Sequence, residues 1–140
     1  MKKRVFPFLL AICCLFSLCA LGASAVESRA STTLANYPVT IAKGSRSGEI
    51  KISYDVQANG RADSVGVSSI KIYESDGTYV TTITGSTGNG LIGTGVSRHR
   101  SSYIYSGTSG VSYYAKVTVF ATIGSDHDSK TVTTGTAKAP

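Results

Sequence analysis

Tryptophan is missing from this chain, methionine occurs once as the first residue, and no cysteine lies beyond position 19. Cys13, Cys14 and Cys19 all belong to an apolar leading stretch. Whatever folds after it has no disulfide and must stand on its core alone. Past residue 25 leucine is down to Leu34 and Leu91, which argues against helices. Carboxylates are few: Asp55, Asp63, Glu74 and Asp76 stand singly, so no pair is set to tune one acid against another. Only His99 and His127 could serve as bases near neutral pH, and no serine sits in a Gly-x-Ser-x-Gly turn. These absences speak against an enzyme.

The leading stretch has the three parts of an export signal. Lys2, Lys3 and Arg4 form a charged start, 5–21 is an uncharged run, and Ala23-Ser24-Ala25 offers small residues to a signal peptidase. A retained membrane anchor is the alternative, disfavoured because the run is short for a spanning helix and ends in a good cleavage site. Cys13 follows Ile12 and Cys19 follows Leu18, which disfavours a lipoprotein. Residues 1–25 are therefore expected to be a cleaved signal helix, leaving a secreted, extracellular product with no membrane attachment of its own. No second apolar run and no sorting signal follow, so it is expected to be released or held non-covalently at the cell surface. Removing the three leading cations takes the formal charge from +6 to +3, with 11 basic against 8 acidic side chains. That charge is spread out, where nucleic acid would need a clustered basic stripe.

What remains is rich in branched side chains: 11 Val, 9 Ile and 16 Thr, with 14 Gly. Branching at Cβ restricts χ1 in a helix and packs well on a pleated surface. Residues 49–58 alternate without error, with Ile50, Ile52, Tyr54, Val56 and Ala58 on one face and Lys51, Ser53, Asp55 and Gln57 on the other. Gly44–Gly48 and Asn59-Gly60 bound it like turns. A second strand over 111–123 places Tyr113, Ala115, Val117, Val119 and Ala121 inward. Phe120 then falls on the outer face and needs a neighbour to cover it. Between them, 69–74 and 78–84 flank Asp76-Gly77 as a hairpin. A two-residue turn sets Ile70 and Ile72 opposite Ile83 and Thr81, whereas a bulged three-residue turn sets them opposite Thr82 and Val80. Weaker strands are expected over 37–42, 102–105 and 130–136, and a flexible leader over 26–36. About seven strands over 37–140 predict an all-β, two-sheet antiparallel sandwich as one domain.

Gly110-Val111-Ser112-Tyr113-Tyr114-Ala115-Lys116-Val117 resembles the Gly-x-x-Tyr-x-apolar-x-Val entry to the penultimate strand of fibronectin type III and other immunoglobulin-like domains. The resemblance implies that the Tyr113 hydroxyl ties back to the preceding loop as a tyrosine corner. It departs from that pattern in lacking the core tryptophan and the paired cysteines. The whole chain is also similar to small uncharacterised proteins secreted by Gram-positive bacteria, which implies no activity.

Several motifs suggest chemistry. Gly88-Asn89-Gly90-Leu91-Ile92-Gly93 has the letters of a dinucleotide fingerprint, but no helical pattern follows it and no lysine sits where a phosphate loop needs one. It reads as an inter-strand loop, and no cofactor is expected. Asp126-His127-Asp128 offers ligand types in an expected loop, with no partner cluster to complete a metal site. Arg98-His99-Arg100, flanked by Tyr103 and Tyr105, is the densest basic spot, suited to a surface glycan or anionic polymer, with a solvated loop as the plain alternative. Tyr73, Tyr79, Tyr103, Tyr105 and Tyr114 have apolar bodies and polar tips. A contiguous outward row of three or more would favour binding over packing. The expected function is a non-enzymatic secreted module binding a glycan, an anionic polymer or another protein. A small exported antagonist, bacteriocin-like or an inhibitor, is the second reading.

Overall fold

The computed structural model describes residues 33–140; the expected signal and residues 26–32 of the expected leader lie outside them. Eight strands follow one another: β1 Leu34–Asn36, β2 Val39–Lys43, β3 Glu49–Glu74, β4 Tyr79–Thr84, β5 Ile92–Ser106, β6 Ser112–Ile123, β7 Asp126–Thr133 and β8 Ala137–Lys138. All pair antiparallel in a single sheet.

The 26-residue β3 is the spine. One of its edges carries β5 and then β4; the other carries β2, β1 and then β6. Strands β7 and β8 line the far edge of β6. The inward set on β3 begins with Ile50, Ile52, Tyr54, Val56 and Ala58, then slips phase to Val65 and Val67, and slips again to Ile70 and Ile72. Each slip compensates for local curvature, so apolar side chains stay inside as the sheet curls. Ladder irregularities lie near both, one between Gln57 and Ala62 and one between Val67 and Ser69; such bulges bend and twist a strand. The two halves of β3 thereby share one core with Ala115, Val117, Val119 and Ala121. At one end the curl is held by Gly48 N–H donating to the Pro140 carbonyl at 2.7 Å and Gly107 N–H to that of Gly48 at 2.8 Å.

This corrects the expected two-sheet sandwich: among the described residues there is one strongly curled sheet, because β3 runs through the corner where two separate strands were read. Asn59-Gly60 is no turn. A tight hairpin at Asn-Gly would need positive φ at both, yet neither has it, and Asn59 N–H instead donates to the Thr33 carbonyl at 2.8 Å. β5 is far longer than the expected 102–105, because its outward side mixes Arg98, Arg100 and Ser102 with exposed Val96 and Ile104 and its inward side carries few apolar residues. The strand expected over 130–136 is β7, which runs from Asp126 to Thr133, so Asp126-His127-Asp128 lies in it and not in a loop. Gly124, φ 59°, occupies the first of the two turn positions between Ile123 and Asp126, where a type II′ turn needs glycine.

The hairpin takes features of both registers. Ile70 faces Ile83 and Ile72 faces Thr81, but a bulge follows, and Tyr73 faces Tyr79. The three residues Ser75-Asp76-Gly77 then close the turn, with Gly77 at φ 95° and Glu74 N–H on the Thr78 carbonyl at 2.9 Å. Phe120 lies on the outer face yet is only 7% exposed; the His127 ring covers it at 5.7 Å between centroids.

Leu34–Asn36, the end of the expected leader, is strand, and Leu34 is buried. Thr33 explains how it is fixed: its N–H and its hydroxyl both donate to Asp128 Oδ2 at 2.8 Å. Asp128→Ala takes this acceptor from the N–H of a buried threonine and leaves its hydroxyl only the Ala121 carbonyl at 3.3 Å. It is expected to cost about 1–3 kcal/mol and to speed amide exchange at 33–36 before the rest of the sheet. Uniform protection in hydrogen-exchange data would refute that latch.

Candidate functional site

Because β5 is a strand, its alternation divides the basic-aromatic cluster expected from the sequence. Arg98 and Arg100 point outward, opposite Gln57 and Asp55; His99, Tyr103 and Tyr105 lie on the core side, opposite Val56, Ile52 and Ile50. The five residues do not form one surface.

The inward three are packed or bonded. His99 Nε2–H donates to the Gly90 carbonyl at 2.7 Å, and the Tyr54 hydroxyl donates to the same oxygen at 3.0 Å. The two rings lie 5.9 Å apart, so together they seat the loop between β4 and β5. Leu91, 1% exposed, anchors that loop in the core, and Asn89 fastens it by accepting from Ser86 N–H and Leu91 N–H and donating to the Thr84 carbonyl. The Gly88–Gly93 motif is thus a pinned connector between strands. Tyr105 packs edge-on against Tyr113 at 5.7 Å. Burial pushes the Tyr54 and Tyr105 phenols above their ordinary values; a Ser101 hydrogen bond opposes this at Tyr54, and Tyr113, Glu74 and Tyr103 add to it at Tyr105. Both stay protonated at neutral pH. Tyr113 is buried, and its hydroxyl accepts from Thr108 N–H at 2.9 Å.

The outward two converge on Asp55. Arg98 Nε donates to Asp55 Oδ1 at 2.7 Å while its Nη2 engages Oδ2, and Arg100 Nε stands 4.0 Å from Oδ2. Asp55 and Arg100 border a shallow groove of about 490 Å³ with Pro38, Thr40, Lys51, Ser53 and Ser102. The Arg98 hydrogen bond holds the Asp55 carboxyl below the usual carboxylate range. A lowered carboxylate contributes stability above its unfolded-state value and loses it as pH falls through the folded-state value. Asp55→Asn is therefore expected to lose a contribution at neutral pH, a small one since the pair is exposed, and to converge on the wild type below the folded-state value, so that its acid limb is flatter. Unfolding midpoints measured from neutral pH down through that value test this, and an unchanged acid limb would contradict it.

A different face carries the aromatic cluster. Tyr73 of β3 sits opposite Tyr114 of β6 and opposite Tyr79 of β4, so three tyrosines form a contiguous outward row across three strands. The rings of Tyr73 and Tyr114 stack at 5.2 Å with 9° between planes, and Tyr79 meets Tyr73 edge-on at 5.7 Å. The Tyr79 hydroxyl shares a 2.7 Å hydrogen bond with Thr82 Oγ1 three residues on. That bond lays the ring along β4, yet Tyr79 remains 56% exposed. Lys116 Nζ lies 5.2 Å from the Tyr73 centroid, and Lys71 is its direct cross-strand neighbour. Sequence reading had all three tyrosines among its candidates. It missed their adjacency, because the pairing of β3 with both β4 and β6 was not legible.

His127, the other histidine, bonds Thr122 Oγ1 through Nδ1 at 2.7 Å. Among the described residues no three His, Cys, Asp or Glu side chains converge as metal ligands.

No family model and no curated protein matches the chain. Among solved structures it is similar to part of a family 76 glycoside hydrolase from a bovine Bacteroides thetaiotaomicron strain, at 16% identity and a TM-score of 0.42, over 75% of this chain and 20% of that one. It is also similar to part of the Parabacteroides merdae β-glucuronidase, at 10% identity and a TM-score of 0.41, over 73% and 13% respectively. The chain spans a fifth or less of either enzyme. The all-β domain resembles parts of bacterial glycoside hydrolases.

Proposed function

We propose that this protein is an exported, non-enzymatic binding module that takes a glycan or protein partner on the outer face of β4, β3 and β6. The row Tyr79–Tyr73–Tyr114 carries this reading. Aromatic side chains supply large contact area at low entropic cost, and here the stack and the Thr82 hydrogen bond fix them before any ligand arrives. Preorganisation of this kind lowers the cost of binding. The histidines support a non-catalytic role, since His99 is committed to the Gly90 carbonyl and His127 to Thr122.

Tyr79→Ala tests the reading. Losing the edge contact with Tyr73 is expected to cost no more than about 1.5 kcal/mol of stability. An aromatic anchor at a binding centre, by contrast, is worth roughly tenfold or more in affinity. The purified protein should be retained by members of a glycan array or by a surface protein, and the variant should lose that retention while unfolding cooperatively. Killing of competitor bacteria at low concentration, without binding, would favour the antagonist reading.

A further inference from the structure

We infer that the ligand of the tyrosine face is an acidic saccharide, its sugar ring lying on Tyr79 and its carboxylates answering Lys71 and Lys116. This rests on the binding reading above and narrows it to one chemical class.

Two observations point the same way. Lys71 and Lys116 are directly opposite on neighbouring strands, an arrangement of like charges that destabilises a sheet. Nothing of opposite sign relieves it: among the described residues every ion pair involves Asp55, on another face. The acids closest in sequence are turned elsewhere. Glu74 shares the register of Tyr113 and lies by Tyr105, and Asp76 accepts from Thr78 N–H within the turn. Lys116 gains some compensation from the Tyr73 ring, but a cation over an aromatic face keeps its charge available. The face thus presents two uncompensated cations beside a fixed, exposed aromatic ring.

A ligand matching it has a flat apolar side and negative charge at its rim. A sugar ring bearing a carboxylate has both. A bare inorganic anion would leave the tyrosines unused, and a neutral glycan would leave the lysines unused. The arginine cluster on β5 is less suited, because Arg98 is already held by Asp55 through two hydrogen bonds.

The test sets uronic-acid oligosaccharides (galacturonide, mannuronide and glucuronate-containing) beside their methyl esters, which keep the sugar and remove the charge. Wild-type protein, Tyr79→Ala, and the pair Lys71→Gln and Lys116→Gln are titrated with each. At least one acid form is expected to bind roughly tenfold or more tightly than its ester, with the excess eroded by salt. Both lysine variants should bring acid binding close to the ester level, and Tyr79→Ala should weaken acid and ester alike. Equal binding of acid and ester, lost in Tyr79→Ala and untouched by the lysine variants, would overturn this inference and leave the binding reading standing. Retention of none of the oligosaccharides would also overturn it, and the binding reading would then depend on a neutral glycan or protein partner.

Discussion

Gly66→Ala is expected to cost the domain more than about 4 kcal/mol, or to prevent folding. Two costs coincide there. Gly66 has φ +147°, a conformation that side-chain-bearing residues avoid, and a Cβ would stand 2.2 Å from the Leu91 carbonyl oxygen and 3.1 Å from Ile92 Cα. The approach is close because Val67 N–H donates to that same Leu91 carbonyl at 2.9 Å, docking the loop between β4 and β5 onto the bend of β3. Gly77 is the internal control: φ is +95° and nothing lies within 4 Å of a Cβ. Gly77→Ala carries backbone strain alone, about 1–3 kcal/mol. Urea midpoints of the two variants separate clash from strain. Equal losses would mean that the loop is not seated on β3.

Tyr113→Ala is expected to cost about 3–5 kcal/mol, the range for emptying a buried aromatic site. The ring is 2% exposed and belongs to the core cluster. Its surroundings are shaped to it, since a Cβ at Gly107 would come within 2.7 Å of the Tyr113 hydroxyl and 2.8 Å of Cζ. Tyr113→Phe keeps the ring and removes only the acceptor for Thr108 N–H, for a loss of about 1 kcal/mol. If chemical denaturation showed Phe to be as costly as Ala, the hydroxyl would matter more than the packed ring, and the core described here would be wrong at that end.

The parts of this fold that the sequence displayed are those with unbroken period-2 burial. The inward sets of 49–58 and 111–123 are all buried in β3 and β6, because each faces the core without interruption. What stayed hidden has a physical reason in each case. Between Ala58 and Ile70 the burial phase slips twice, so the stretch looks like a loop although it is the curved middle of one strand. In β5, Arg98, Arg100 and Ser102 outside and His99 and Ser101 inside leave no apolar period to detect. The candidate site suffered from the same ignorance of pairing. Residues adjacent in sequence, such as Arg98 and His99, end on opposite faces, while Tyr79, Tyr73 and Tyr114 meet only through the register of three strands.

Chemical-shift mapping of the purified protein with its best-retained uronic-acid oligosaccharide tests most directly whether ligand sits on that tyrosine row. The expected pattern is movement of the Tyr73, Tyr79, Thr82, Tyr114 and Lys116 amides, with Asp55, Arg98 and Arg100 unmoved. Shifts concentrated at Asp55, Arg98 and Arg100 would put the ligand at the arginine cluster on β5 instead and contradict the assignment made here.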